Sequence, residues 1–305
     1  MALNVYKGSS DYRGPACVLT IGNFDGVHLG HQALIRKNQK KAKELGVASV
    51  LYTFEPHPRR VLQPQNHPPR LLELKEKLAL IEKMGIEHVV VESFNEVFAL
   101  QPADWFAREV IQKRLGAQAL VVGHDFRFGR GREGTAEGLK ERLPDLTIET
   151  LKAVLVDDTV ASSSRVREWI ADGNVDGAAK LLGRPYSIQG RVVPGSARGR
   201  ELGFPTANID SHNELMPKRG VYAVQVELAG QQVDGVANLG VRPTFGDHLF
   251  CIEVHLMDRK EDLYDQELSV EFIQNIREEK KFESVDDLKK QIQADVDLAR
   301  RILGS

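Results

Sequence analysis

The amino-acid sequence predicts an α/β N-terminal half on a parallel sheet, then an antiparallel β-barrel or sandwich that ends in a helix. Three observations carry this. Between Ala16 and Leu182, short apolar runs alternate with helix-period segments. Beyond Arg184-Pro185, strand-like runs follow one another with only turns between them. The chain then closes on an amphipathic stripe from Ser284 to Leu303.

In the first half, 16–21 reads as a buried strand that hands over to a polar helix from about Leu29 to Gly46. Val47 to Phe54 is the next strand, and a helix from Glu73 to Met84 closes at Gly85. His88 to Val91 is a strand, Asp104 caps a helix reaching Leu115, and Ala117 to Val122 is another buried strand. Strands alternating with helices imply a parallel sheet covered on both faces. In the second half, 187–193, 221–228, 232–239, 250–256 and 268–273 read as strands, several with partial period-2 alternation. Ser284 caps the last helix, whose apolar stripe is Val285, Leu288, Ile292, Val296, Ala299 and Leu303. The expected domains are 1–185 and 186–305. A chain of 305 residues favours two domains, since single cores rarely grow beyond roughly 250–300 residues.

Composition narrows the class. A formal net charge of -2 provides no global field for nucleic acid or anionic membrane, so an anion site must be local. Cys17 and Cys251 are far apart and no CxxC occurs, which argues against a disulfide framework or a cysteine zinc site. The start lacks the apolar stretch of a secretory signal, and no run approaches the ~18–20 apolar residues that span a bilayer. These features predict a cytoplasmic enzyme without nucleic-acid or membrane partners; they say nothing about oligomeric state.

Gly22–His31, GNFDGVHLGH, falls where a strand meets a helix, at the carboxyl edge of the expected sheet. Ligands bind there because a helix N-terminus presents unpaired N–H groups and a partial positive charge. His28 and His31 are one helical turn apart and suit two imidazoles on the phosphates of one ATP. A tight surface turn, or a metal pair lacking a third ligand, is the competing reading. The HxGH tetrad resembles the signature of the nucleotidylyltransferase superfamily, whose members attack the α-phosphate of ATP and release pyrophosphate. Ala161 to Arg167, ASSSRVR, fits that superfamily's second signature. Phe54 to Pro58 (FEPHP) and Val122 to Gly129 (VGHDFRFG) leave strand ends on the same edge. Together the four motifs resemble the FMN adenylyltransferase module of bacterial FAD synthetases, with a Rossmann-like parallel sheet. The resemblance implies that Asn23, His28 and His31 bind ATP phosphates within a turn completed by Gly22, Phe24 and Gly30. It further implies that Ser163, Ser164 and Arg167 close over the phosphates, while Phe54, Pro56, Pro58 and Asp125 line the flavin pocket. Ala161 stands where the family has a branched aliphatic, Ser164 where it has Thr, and Asp125 where Asn is frequent.

Gly190 to Asn208, GRVVPGSARGRELGFPTAN, is the second informative stretch. Gly190, Gly195 and Gly199 space a loop carrying Arg191, Arg198 and Arg200, a composition suited either to polyphosphate or to a solvated hairpin. In Pro205 to Asn208, the Thr206 hydroxyl and the Asn208 amide can jointly hold Mg²⁺ and nucleotide phosphate. Loop and PTAN together resemble the riboflavin kinase signature, and the match runs on through 220–223, 235–245, 253–256, 276–277 and 281–282. That family's fold is a six-stranded antiparallel barrel with a C-terminal helix, and Glu253 matches its base for the 5′-hydroxyl. Glu271 is a competing carboxylate outside any motif. Asp265 stands where Gly is frequent.

The reading that follows is bifunctional. Riboflavin and ATP give FMN at the C-terminal site, and FMN and ATP give FAD at the N-terminal one. A phosphopantetheine-type acceptor, a flavin-sensing regulator and a tRNA-charging enzyme are the alternatives. The flavin-type loops, the intact HxGH, PTAN and Glu253, and the lack of a basic aromatic appendage argue against each in turn.

Overall fold

The computed structural model describes residues 3–195, 198–228, 230–243, 248–259 and 263–305. The chain divides into two compact units, 1–163 and 164–305.

The first unit is built on β1 (Asn4–Tyr6), β2 (Cys17–Ile21), β3 (Ala48–Glu55), β4 (His88–Ser93), β5 (Ala117–Gly123) and β6 (Thr147–Leu151). They form one sheet in the order β1-β4-β3-β2-β5-β6, with every pair parallel. All five residues of β2 are buried, because both of its faces are covered. Leu19 and Ile21 pack with Phe106, Val110 and Ile111 on one face, and Val18 packs with Ile35, Ala42 and Ile81 on the other. Ile35 and Ala42 come from α1 (Leu29–Leu45), Ile81 from α3 (Leu74–Lys83); the short α2 (Pro58–Leu62) follows β3. Gly46 ends α1 in the left-handed region at φ 66°. Strand order reverses at β2, so the loops after β2 and β5 diverge at the crevice where open parallel sheets take ligands.

Two features differ from the sequence expectation. The helix expected from Asp104 starts two residues earlier, with Pro102 as N-cap, and residues Phe106–Arg114 run as a π-helix. Asp104 instead lies in the first turn and pairs with Arg108 at 3.0 Å. Strands β1 and β6, short and polar at the two sheet edges, are additional to the expected strands.

The second unit opens with α4 (Ser163–Ala171), whose first residue still belongs to the first unit, and α5 (Val175–Leu182). Its body is β7 (Tyr186–Val193), β8 (Ala207–Ser211), β9 (Gly220–Leu228), β10 (Gln231–Pro243), β11 (His248–Leu256) and β12 (Glu267–Arg277). These close into a six-stranded antiparallel barrel, β7-β8-β11-β10-β9-β12, so barrel rather than sandwich is correct. The compact unit starts well before residue 185 because α5 packs on β12 and β7. Its buried Val175, Ala178, Leu181 and Leu182 form that face, and Lys218 N donates to Ile170 O at 3.3 Å.

The last helix, α6 (Val285–Leu303), lays Val296 and Ala299 on Val221, Ala223 and Val236, while the barrel interior holds Tyr222 against Phe272. Ser284 caps α6 through Asp287 N at 3.1 Å. Val285, placed in the stripe by its spacing, is 60% exposed, since the first turn of α6 overhangs the packed face. Asp295, almost fully buried on α6, takes a forked bond from Arg277 of β12 at 2.8–3.0 Å.

Candidate active sites

The loop between β2 and α1 carries strain where the HxGH signature lies. Phe24 and Val27 have φ of 50° and 43°, conformations that bulky side chains rarely adopt, and Phe24 is fully buried. His28 is the N-cap of α1. Its Nδ1 accepts from His31 N at 3.3 Å, which leaves its proton on Nε2. The two imidazoles stack with centroids 3.7 Å apart. A side chain at position 30 would be crowded, its Cβ 3.0 Å from the His28 ring and 3.1 Å from Ala161 O. Burial, then His28 and Lys77, hold the His31 pKa well below the usual imidazole range. His31 is therefore neutral at pH 7, and its buried Nδ1 has no hydrogen-bond partner among the described residues.

Around this loop lie two buried charged residues outside the expected site set, Asp25 and Lys77. Asp25 is buried, its Oδ1 accepting from Leu71 N at 3.0 Å and its backbone O from Ser163 Oγ at 2.8 Å. The second signature thus meets the first through Ser163. Ser164, Arg165 and Arg167 continue along α4 with the second unit, and Arg165 pairs with Glu168 at 2.7 Å. Lys77 of α3 is 6% exposed, and its Nζ donates to Asn23 O at 3.2 Å and Thr53 Oγ1 at 3.3 Å. A lysine at i−4 from buried Ile81, on the core side of an amphipathic helix, was the available signal.

The two flavin-type loops leave the same sheet edge. Phe54, at the end of β3, meets Phe94 edge-on at 5.6 Å and Phe98 at 6.1 Å. Phe126 stacks on Phe128 at 5.4 Å. Pro58 opens α2 behind His57, whose ring accepts from Arg59 N at 3.2 Å; Pro56 follows a cis peptide. Asp125 is exposed at the tip of the turn after β5.

On the barrel, Asn208 of β8 stands opposite Glu253 of β11, which stands opposite Asn238 of β10. Directly paired residues point to the same side of a sheet, so the three form one row on the outer wall. Ile252 and Val254, flanking Glu253, are buried inward. Cys251 Sγ lies 3.8 Å from Asn208 Oδ1 and 3.7 Å from Glu253 Oε1. The Asn208 amide occupies the space a Cβ on Gly195 would need, so the loop after β7 approaches it closely. Thr206 immediately precedes β8, and His255 Nδ1 contacts Pro205 O at 2.8 Å. Asn238 and Cys251 lay outside the expected set. Asn238 is visible only through strand register, which spacing within one strand does not reveal.

Not every expected residue joins this row. Gly190 is inside β7, against the Asp210 carbonyl of β8, rather than in the flexible loop expected for it. Arg191 shares that strand and pairs with Glu267 at 3.4 Å. Gly199 and Arg200 lie in a short helix, Arg198–Leu202. Residues 196–197 and 244–247 of the matched motifs lie outside the described residues. Glu271 is on β12, across the barrel from Glu253, and accepts from Gln232 Nε2 at 3.3 Å.

Comparison with known proteins adds independent findings. A family model described as FAD synthetase matches residues 12–165, and one described as riboflavin kinase matches 182–303. A bifunctional riboflavin kinase/FMN adenylyltransferase of Haemophilus influenzae is 42% identical over 95% of both chains. That of Pseudomonas fluorescens is 43% identical over 96% of this chain and 94% of its own. A crystal structure from Streptococcus pneumoniae, described as a macrolide-efflux protein, superimposes with a TM-score of 0.90 at 34% identity, covering 98% of this chain and 99% of that one. Among the described residues of this chain, no helix is long and apolar enough to cross a membrane.

Proposed function

The chain belongs to the bifunctional riboflavin kinase/FMN adenylyltransferase family, with FAD synthetase in its N-terminal region and riboflavin kinase in its C-terminal region, and from that premise we propose which residues perform each step. The observation that carries the division is that each region has its own polar cluster: His28 with His31 at the start of α1, and Asn208 with Glu253 on the barrel wall.

Riboflavin phosphorylation belongs to the barrel. Glu253 accepts the proton of the ribityl 5′-hydroxyl while that oxygen bonds to the γ-phosphorus of ATP and the bond to ADP breaks. Asn208 and Thr206 hold the nucleotide phosphates, and the loop bearing Gly195, Gly199 and Arg200 wraps them. Gly190 serves by letting β7 lie against β8. Mg²⁺ fits Thr206 and Asn208, which offer hard, uncharged oxygens two residues apart on extended backbone. When bound it offsets phosphate charge.

Adenylylation needs no protein nucleophile, because an FMN phosphate oxygen attacks the α-phosphorus and pyrophosphate leaves. The protein aligns the reactants and stabilises the charge that builds up. His28 donates from Nε2, and neutral His31 donates an N–H without adding a charge. Gly22, Asn23, Phe24 and Gly30 shape the phosphate turn, and Ser163, Ser164 and Arg167 complete it. Phe54, Pro56, Pro58 and Asp125 line the flavin side. The functional halves meet near residue 185, and the setting is the cytoplasm, with ATP, riboflavin and FMN as partners and no nucleic acid or membrane.

The test is to incubate the purified full chain with riboflavin, ATP and Mg²⁺ and separate the flavins by chromatography. Asn208→Ala is expected to convert supplied FMN to FAD but to make none from riboflavin. His28→Ala is expected to accumulate FMN. Equal loss of both activities in either variant would overturn the assignment.

A further inference from the structure

We infer that Lys77 is a positioning residue of the adenylyl-transfer step: it fixes the nucleotide loop through the Asn23 carbonyl and puts a buried positive charge beneath it. The inference rests on the assignment of ATP to the HxGH loop. Lys77 is 6% exposed, and both acceptors of its ammonium, Asn23 O and Thr53 Oγ1, are uncharged oxygens. Thr53 Oγ1 itself donates to Asn23 O at 3.1 Å, so one carbonyl of the loop is held twice, from α3 and from β3. Glu55 and Asp25 act on the ammonium through space rather than by a hydrogen bond.

A structural pin does not require this chemistry. Burying an ammonium without a contacting carboxylate is costly, and a neutral donor would hold a carbonyl equally well. The charge is explained by what binds above it, since a nucleotide triphosphate brings several negative charges to the helix N-terminus next to Asn23. The same charge also acts on His31, helping to keep that imidazole neutral.

Titration supplies a readout that separates the two roles. Burial, with a smaller contribution from Arg70 and against the pull of Glu55 and Asp25, lowers the Lys77 pKa. Its charge is therefore lost at lower pH than that of an exposed lysine. FAD formation from supplied FMN and ATP should fall along this alkaline limb while riboflavin phosphorylation by the same protein does not.

The experiment measures both activities against pH in full-length wild type, Lys77→Met, Thr53→Val and His28→Ala, with thermal unfolding of each. Lys77→Met retains the buried volume and removes the charge. It is expected to lower adenylylation kcat by about 10²-fold, the scale of a misplaced reacting group, to abolish the alkaline limb, and to leave the kinase unchanged. Thr53→Val is expected to lower kcat while the limb persists, and it decides the matter should Lys77→Met fail to fold. Wild-type kcat in folded Lys77→Met, with the limb intact, would overturn the inference, as would an unaltered kcat in Thr53→Val where that variant decides. Full adenylylation by His28→Ala would overturn the underlying site assignment instead.

Discussion

At the scale of single residues, each cluster predicts its own response. Glu253→Ala is expected to lower kinase turnover ~10²–10⁴-fold, the usual contribution of a positioned base, with melting temperature and FMN-to-FAD conversion preserved. Cys251 offers a chemical version of the same test. Cys17 is fully buried, and burial pushes its thiol up to about 12, whereas Cys251 is partly exposed beside Glu253. Alkylation with iodoacetamide should therefore stop FMN formation and spare FAD formation, with labelling located by peptide mass. His31 predicts a dependence on acid. Its folded pKa lies below the ordinary ~6.5, so its stabilising contribution is complete above that value and is lost as pH falls. Melting temperature followed from pH 8 to pH 5 should fall less steeply in His31→Asn than in wild type. Motif residues such as His28, His31, Asn208 and Glu253 were expected from sequence because their motifs are local to it. Lys77, Asp25 and Asn238 were not, because each gains its meaning from a partner on a different element.

At the scale of elements, buried runs read well and edges read poorly. Strand β2 stood out because both faces are covered and every residue is buried. Strands β1 and β6 did not, since edge strands carry polar residues whose pairing is all that identifies them. Strand β8 was missed for another reason: Ala207–Ser211 is only five residues long and alternates weakly, although it carries Asn208. Two substitutions probe the elements that were read correctly. Leu19→Ala, in the centre of β2, should cost ~2–5 kcal/mol in urea unfolding, the range for an emptied core site. Asp295→Ala should cost ~3–5 kcal/mol, since it leaves the Arg277 guanidinium without its half of a largely buried pair.

At the scale of the whole chain, the division of labour was visible in rhythm. Helices between strands announced the parallel sheet, and their disappearance after Pro185 announced the antiparallel ring. The location of compactness was not visible, because α4 and α5 continue the helical rhythm of the first half yet belong with the barrel. Only packing distinguishes a helix that covers the preceding sheet from one that covers the next.

The ring also fixes an order of events during synthesis. All six strands of the parallel sheet have been made by residue 151, whereas β12, which joins β7 to β9, spans Glu267–Arg277. A ribosome must add more than a third of the polypeptide between the two moments. Once made, β7 and β9 each keep an unpaired edge until β12 emerges, the kind of surface on which nascent chains associate wrongly. A message broken between codons 256 and 267 would therefore yield a product with a complete sheet and five of the six barrel strands, an adhesive ring left open along one side.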